Sequence, residues 1–135
     1  MTAHYSVEKR ADLPVVIAEY FEDFGGDDDV NGVGEALHAV FDQLDHDAYI
    51  ILDVRRATLS FNDMMLTTKR SFFIENPLSK HPRFLKTIIL TESKIIIRFA
   101  SGLNSAPFGN MHVPIYVTLE EAIDWIRSDL RKRAS

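Results

Sequence analysis

A chain of 135 residues, 46% hydrophobic and 26% charged, has the size and composition of one globular domain, and a single domain over 1–135 is expected. It has no cysteine, which excludes a disulfide framework, a thiolate zinc site and a cysteine nucleophile. Fifteen Lys and Arg against 20 Asp and Glu give a net charge of −5, which argues against a nucleic-acid partner. No apolar run approaches the ~20 residues of a membrane span, and the opening MTAHYSVEKR lacks the apolar core of a secretory leader. The expectation is a cytoplasmic protein with no integral membrane association.

From the N-terminus, His4 to Glu8 reads as a short edge strand. Val15 to Phe21 is β-branched and aromatic and reads as its hairpin partner. Phe24-Gly25-Gly26-Asp27-Asp28-Asp29 combines turn chemistry with the acidity favoured at a helix start. Val33, Leu37, Val40, Phe41 and Leu44 then recur at helical spacing, predicting a helix that ends near Asp45. Tyr49 to Val54 is continuously apolar up to Asp53, the pattern of a parallel strand buried on both faces.

Ser60-Phe61-Asn62-Asp63 reads as a capping box. Phe61, Met64, Met65, Thr68 and Phe72 continue one helix face until Asn76-Pro77. Phe84 to Thr91 is another strand. Ser93 to Asn104 is read as a helix, with Ile95, Phe99 and Leu103 on one stripe and Ile96 and Ala100 on its neighbour. Val113 to Val117 is the last strand, at an edge or with Pro114 at its very start, because proline cannot donate to a ladder. Thr118-Leu119-Glu120-Glu121 caps a final helix carrying Leu119, Ala122, Ile123, Ile126 and Leu130, with Trp125 covering the sheet edge.

The order is β-β-α-β-α-β-α-β-α. Crossovers of this length make parallel neighbours with right-handed connections. The expected fold is α/β, with about five strands in a mostly parallel, mixed sheet, four helices, and the first strand antiparallel.

This order, the strand ending Leu52-Asp53 and the phrase Val117-Thr118-Leu119-Glu120-Glu121-Ala122-Ile123-Asp124-Trp125-Ile126 resemble the SpoIIAA-like proteins. These include STAS domains (anti-sigma-factor antagonists and cytosolic domains of sulfate transporters) and small bacterial relatives. The resemblance spans nearly the whole chain and implies a non-enzymatic regulatory domain that acts by binding another protein, or a second copy of itself. In the antagonists the loop after the strand carries Asp-Ser-Ser-Gly, whose first serine is phosphorylated at a helix N-terminus and acts as a charge switch. Here the loop reads Thr58-Leu59-Ser60-Phe61-Asn62-Asp63-Met64-Met65. If Asp63 takes the aspartate's place, the phosphorylated position is Met64, which has no hydroxyl, and the glycine is missing. The expectation is a domain without the usual phosphoserine switch.

The expected partner-binding set is Asp53, Arg56, Thr58, Ser60, Asp63, Met64, Met65, Phe72 and Phe73. Ser60 reads first as an N-cap and second as a phosphosite, and Asp63 first as its capping-box partner. Asp53 ends a buried strand, where ligands of open α/β sheets gather, although Arg55 and Arg56 offer it ion-pair partners. The Phe61, Met64, Met65, Phe72, Phe73 stripe suits a core or an adaptable docking surface. Phe72 and Phe73 are adjacent, so they cannot both point inward on one helix. A second reading is a small-molecule module, taking a lipid or a nucleotide in a cavity between sheet and helices beneath Met64, Met65 and Phe99.

No cofactor or metal is expected. Asp27-Asp28-Asp29-Val30-Asn31-Gly32 matches the first half of a calcium loop, but the twelfth position is His38, a poor ligand for a hard cation. His4, His38, His46, His81 and His112 show no zinc-site spacing. There is no G-x-S-x-G and no Gly-rich phosphate loop after a strand. The basic tail from Arg127 to Arg133 complements a helix C-terminus.

Overall fold

The computed structural model describes residues 4–70, 77–102 and 113–134. Phe72 and Phe73 lie outside the described residues. The strands are β1 (Tyr5–Lys9), β2 (Val15–Tyr20), β3 (Ala48–Asp53), β4 (Phe84–Leu90) and β5 (Ile115–Tyr116). The helices are α1 (Asp27–Asp42), α2 (Phe61–Thr68), α3 (Lys94–Gly102) and α4 (Leu119–Ala134). The five strands form one sheet in the order β1-β2-β3-β4-β5. β1 is antiparallel to β2, and every other pair is parallel. Helices thus pack on a mixed, mainly parallel sheet, as the apolar pattern predicts.

Because each crossover steps to the next strand with the same hand, α1, α2 and α3 fall on one face. There Val30, Val33, Leu37 and Phe41 of α1, Met64 of α2 and Ile96 of α3 pack on Val16, Ala18, Tyr20, Ile50 and Leu52. The opposite face is covered by α4, whose Ala122, Ile123 and Ile126 pack on Val15, Tyr49, Ile51, Ile88 and Leu90. β3 feeds both cores, which explains its unbroken apolar run. β5 is an edge strand, and Pro114 just precedes it. There it accepts a bond from the Ile89 N–H (2.9 Å) and needs to donate none.

Trp125 packs over the sheet face rather than covering its edge. Its ring meets Tyr49 edge-on at 6.2 Å, with Lys86 Nζ above it. The reason is that Tyr49, on the central strand, points out of the sheet towards α4. Its hydroxyl donates to Asp129 (2.5 Å), which also accepts from Arg133 (2.7 Å). Burial, and then Asp129, push the Tyr49 hydroxyl up to about 12. The basic tail thus helps to hold α4 on the sheet.

α1 begins at Gly26, whose φ of 87° suits glycine. Asp27, Asp28 and Asp29 fill its first turn, so the calcium-like run is helix-start chemistry. Gly32 lies within α1, where glycine costs ~1 kcal/mol relative to alanine. A Cβ there would sit 2.3 Å from the Tyr5 hydroxyl, so the glycine lets β1 lie against the helix. Gly32→Ala is expected to lower stability by ~1–2 kcal/mol in urea denaturation despite the gain in helix propensity. In a Tyr5→Phe background most of that loss disappears, and an equal loss in both backgrounds would refute the steric account.

His4 ties the same edge to α1, bonding Asp29 at 2.8 Å with Asp23 at 3.4 Å. The Asp29 hydrogen bond, aided by both carboxylates and opposed by burial, raises His4 above its ordinary 6.5. A raised histidine stabilises the fold fully below its unfolded value and loses that contribution as pH rises through the folded value. Thermal melts from pH 6.5 upward should therefore show a decline in stability that His4→Gln removes.

Candidate functional site

The C-terminal ends of β2 and β3 and the start of α2 form one rim of the sheet. Ser60 caps α2: its Oγ accepts from the Asp63 N–H (3.0 Å), and Asp63 accepts in return from the Ser60 N–H (3.2 Å). The second Asp63 oxygen accepts from the Gly26 N–H (3.1 Å) at the start of α1. Asp63 is only 7% exposed, so this carboxylate joins two helix starts and is not available to a partner. Met64 is buried as well and points into the core.

Asp53 is engaged by Arg55, with Nε at 2.9 Å and Nη2 at 2.8 Å, and Arg55 also donates to the Val117 carbonyl (3.2 Å). Arg56 turns elsewhere, forking onto Glu22 at 2.8 and 2.9 Å, reaching Glu19 at 3.2 Å and lying over the Phe21 ring at 4.9 Å. The expected grouping of Asp53 with Arg56 is therefore replaced by separate partners, Asp53 for Arg55 and Glu19 with Glu22 for Arg56. A polar cleft of about 360 Å³ on the α4 side is lined by Glu19, Asp53, Arg55, Lys9, Arg10 and Leu119, among others. Its charges are largely matched within the chain, Arg10 by Asp12 and Arg55 by Asp53. Among the described residues no cluster of three His, Asp or Glu could hold a metal. Nor is any helix there long and apolar enough to cross a membrane.

The stripe read from Phe61, Met64 and Met65 divides. Met64 enters the core, while Phe61 is 65% and Met65 43% exposed. Helical residues four apart share a face, so Phe61 and Met65 project together. On α3, Ile96 and Ala100 form the buried stripe and Ile95 is 69% exposed. Phe99, one turn beyond Ile95, meets Phe61 edge-on at 6.1 Å. The result is an outward apolar patch of Phe61, Met65, Ile95 and Phe99, bordered by exposed Lys69, Lys94 and Arg98, none of which has an ion pair among the described residues. Of the expected set, Thr58, Ser60 and Met65 are exposed at or near this patch. Phe61 belongs to the stripe read as core or docking surface and takes the outward reading, whereas Ile95 was missed, though three consecutive isoleucines on a helix, at ~100° per residue, cannot all face the sheet.

Behind the patch lies an apolar cavity of about 70 Å³ between the sheet and α2 and α3, lined by Tyr20, Leu52, Met64, Ile96, Phe99 and Val113 among others. Met64 and Phe99 border it as expected, while Met65 stands outside. Its size and apolar walls do not suit a nucleotide.

This arrangement is a SpoIIAA-like fold. A crystal structure of an uncharacterized DUF3478-family protein from Shewanella loihica PV-4, described as having a SpoIIAA-like fold, superposes with a TM-score of 0.56 over 90% of each chain at 13% identity. No family model matches the sequence, and no curated protein matches it.

Replacing Ser60 by alanine should cost ~1 kcal/mol, the ordinary value of an N-cap. Asp63→Ala orphans the Gly26 and Ser60 N–H groups and should cost ~2–3 kcal/mol. Urea denaturation of both variants tests this, and an Asp63→Ala loss no larger than that of Ser60→Ala would rule out the bridging role.

Proposed function

We propose that the chain is a non-enzymatic, STAS-type regulatory domain that docks a protein partner through the α2–α3 face. The observation that carries this reading is the patch of exposed Phe61, Met65 and Ile95 with half-buried Phe99 beside the α2 N-terminus. Single exposed apolar residues are ordinary, but contiguous ones from two helices mark interaction surfaces. Methionine and aromatic side chains also supply adaptable contact area.

The border decides the partner's chemistry. Lys69, Lys94 and Arg98 surround the patch on a chain whose overall charge is −5. A two-fold homodimer through this face would set like charges against one another, which costs affinity. A partner segment with acidic groups flanking apolar anchors is complementary to it. If Asp63 takes the place of the antagonists' aspartate, the phosphorylated position is Met64, and phosphoserine control has no support there.

A photo-crosslinking phenylalanine analogue placed at Ile95 in the host cell should yield a discrete protein adduct. The adduct should be absent when the probe sits at exposed Glu35 on α1, and should be reduced by Lys94→Glu with Arg98→Glu. An adduct of twice the 15.4 kDa chain mass would identify a homodimer instead. No adduct, or equal labelling from Glu35, would remove the docking reading.

A further inference from the structure

The α2–α3 cavity does not end at its apolar walls. A second cavity of about 30 Å³, lined by Val33, Leu37, His38, Arg70 and Leu78 among others, shares Tyr20, Leu52 and Thr67 with it. The two adjoin, one apolar and one containing a guanidinium.

Among the described residues Arg70 makes one hydrogen bond, from Nη1 to the Asn31 Oδ1 (2.8 Å), and its Nε is buried with no acceptor. No carboxylate among the described residues pairs with it. The group is drawn close to α1 at Gly34, where a Cβ would stand 2.7 Å from Nε. A partly buried guanidinium left short of acceptors is costly, and carboxylates are its natural complement. Tyr20 supplies an independent sign. It is 1% exposed and lines both cavities, yet among the described residues its hydroxyl has no hydrogen-bond partner. Buried tyrosine hydroxyls ordinarily find a partner. Burial also pushes the pKa of the Tyr20 hydroxyl up, which keeps it a neutral donor.

The Thr67 and Thr68 hydroxyls do not compete for a polar head group, because they donate to the Asp63 and Met64 carbonyls (2.7 and 2.9 Å). An apolar cavity of ~150 Å³ holds a benzene ring, so one of about 70 Å³ encloses roughly three carbons. We propose that the adjoining cavities together bind a short-chain monocarboxylic acid of roughly three to five carbons. Its carboxylate meets Arg70 and Tyr20, and its alkyl chain lies against Met64, Ile96 and Phe99. This site lies behind the docking face, and testing it requires no protein partner.

The test is a two-dimensional amide NMR titration of the intact chain at neutral pH with sodium butyrate, alongside 1-butanol and sodium chloride. The expected result is a saturable butyrate response centred on Tyr20, Leu52 and Thr67. It should be weakened about tenfold or more by Arg70→Gln and more modestly by Tyr20→Phe, with no saturation by 1-butanol or chloride. Ile96→Phe, which fills the apolar part, should also weaken butyrate while leaving the spectrum dispersed. Because Arg70→Gln could disturb the fold, Arg70→Lys serves as a second variant that keeps the charge and loses the planar fork. The proposal is overturned by a folded wild-type chain that shows no saturable butyrate response. It is equally overturned if 1-butanol or chloride binds as well as butyrate, or if folded Arg70 variants bind as tightly as wild type.

Discussion

One buried carboxylate organises the functional end of this fold. Asp63 accepts from the Ser60 N–H in its own helix cap and from the Gly26 N–H at the start of α1. Helix N-termini carry orphan N–H groups and a positive dipole end, and a single anion placed between two of them satisfies both. α1 and α2 are thereby fixed against each other at the sheet rim. The gap between them, where Arg70 meets Gly34, and the outward aim of Phe61 and Met65 follow from that placement. A capping box usually acts within one helix; here its carboxylate also sets the spacing between two.

The sheet distributes its burial unequally. Three helices cover one face and α4 alone covers the other. A single helix leaves part of β1 and β2 open, and a polar cleft forms there. Its charges are mostly paired within the chain, so the cleft offers a partner little unmatched charge. On the opposite face the helices meet side by side, and the surfaces that do not reach the sheet remain as apolar patch and cavity. The asymmetry of the layers thus separates a face with mostly neutralised charges from one with exposed hydrophobic groups and cations that have no ion pair among the described residues.

The element order was legible because burial controls it. Continuous apolar residues through Ile50, Ile51 and Leu52 can only be a strand covered on both sides, and the Ser60 and Thr118 boxes mark helix starts by local chemistry alone. Pro114 pointed correctly to an edge. The site was less legible, because ion-pair choice depends on three-dimensional distance. Nothing local tells Arg55 to take Asp53 and Arg56 to reach back to Glu22 and Glu19. Helix phase failed similarly at short range. Phe61 fits an inward stripe by spacing, but it occupies the first position of α2, where the chain has just turned in from the rim, and its ring faces outward. Trp125 could be placed on α4 from its period, but not over Tyr49 on the central strand.

Phe99 gives the two halves of the functional end a common wall. It meets Phe61 on the outer patch and lines the apolar cavity within. Protein interiors pack too densely for one ring to move without its neighbours responding. A group entering beneath Phe99 and a surface closing over Phe61 therefore act on the same side chain. Linkage then requires that any effect of the inner occupant on the outer contact be matched by an equal effect in reverse. α3 is built for this position. Ile96 and Ala100 hold it to the sheet, Ile95 faces outward and Phe99 lies between, so one helix both covers the cavity and borders the proposed docking face.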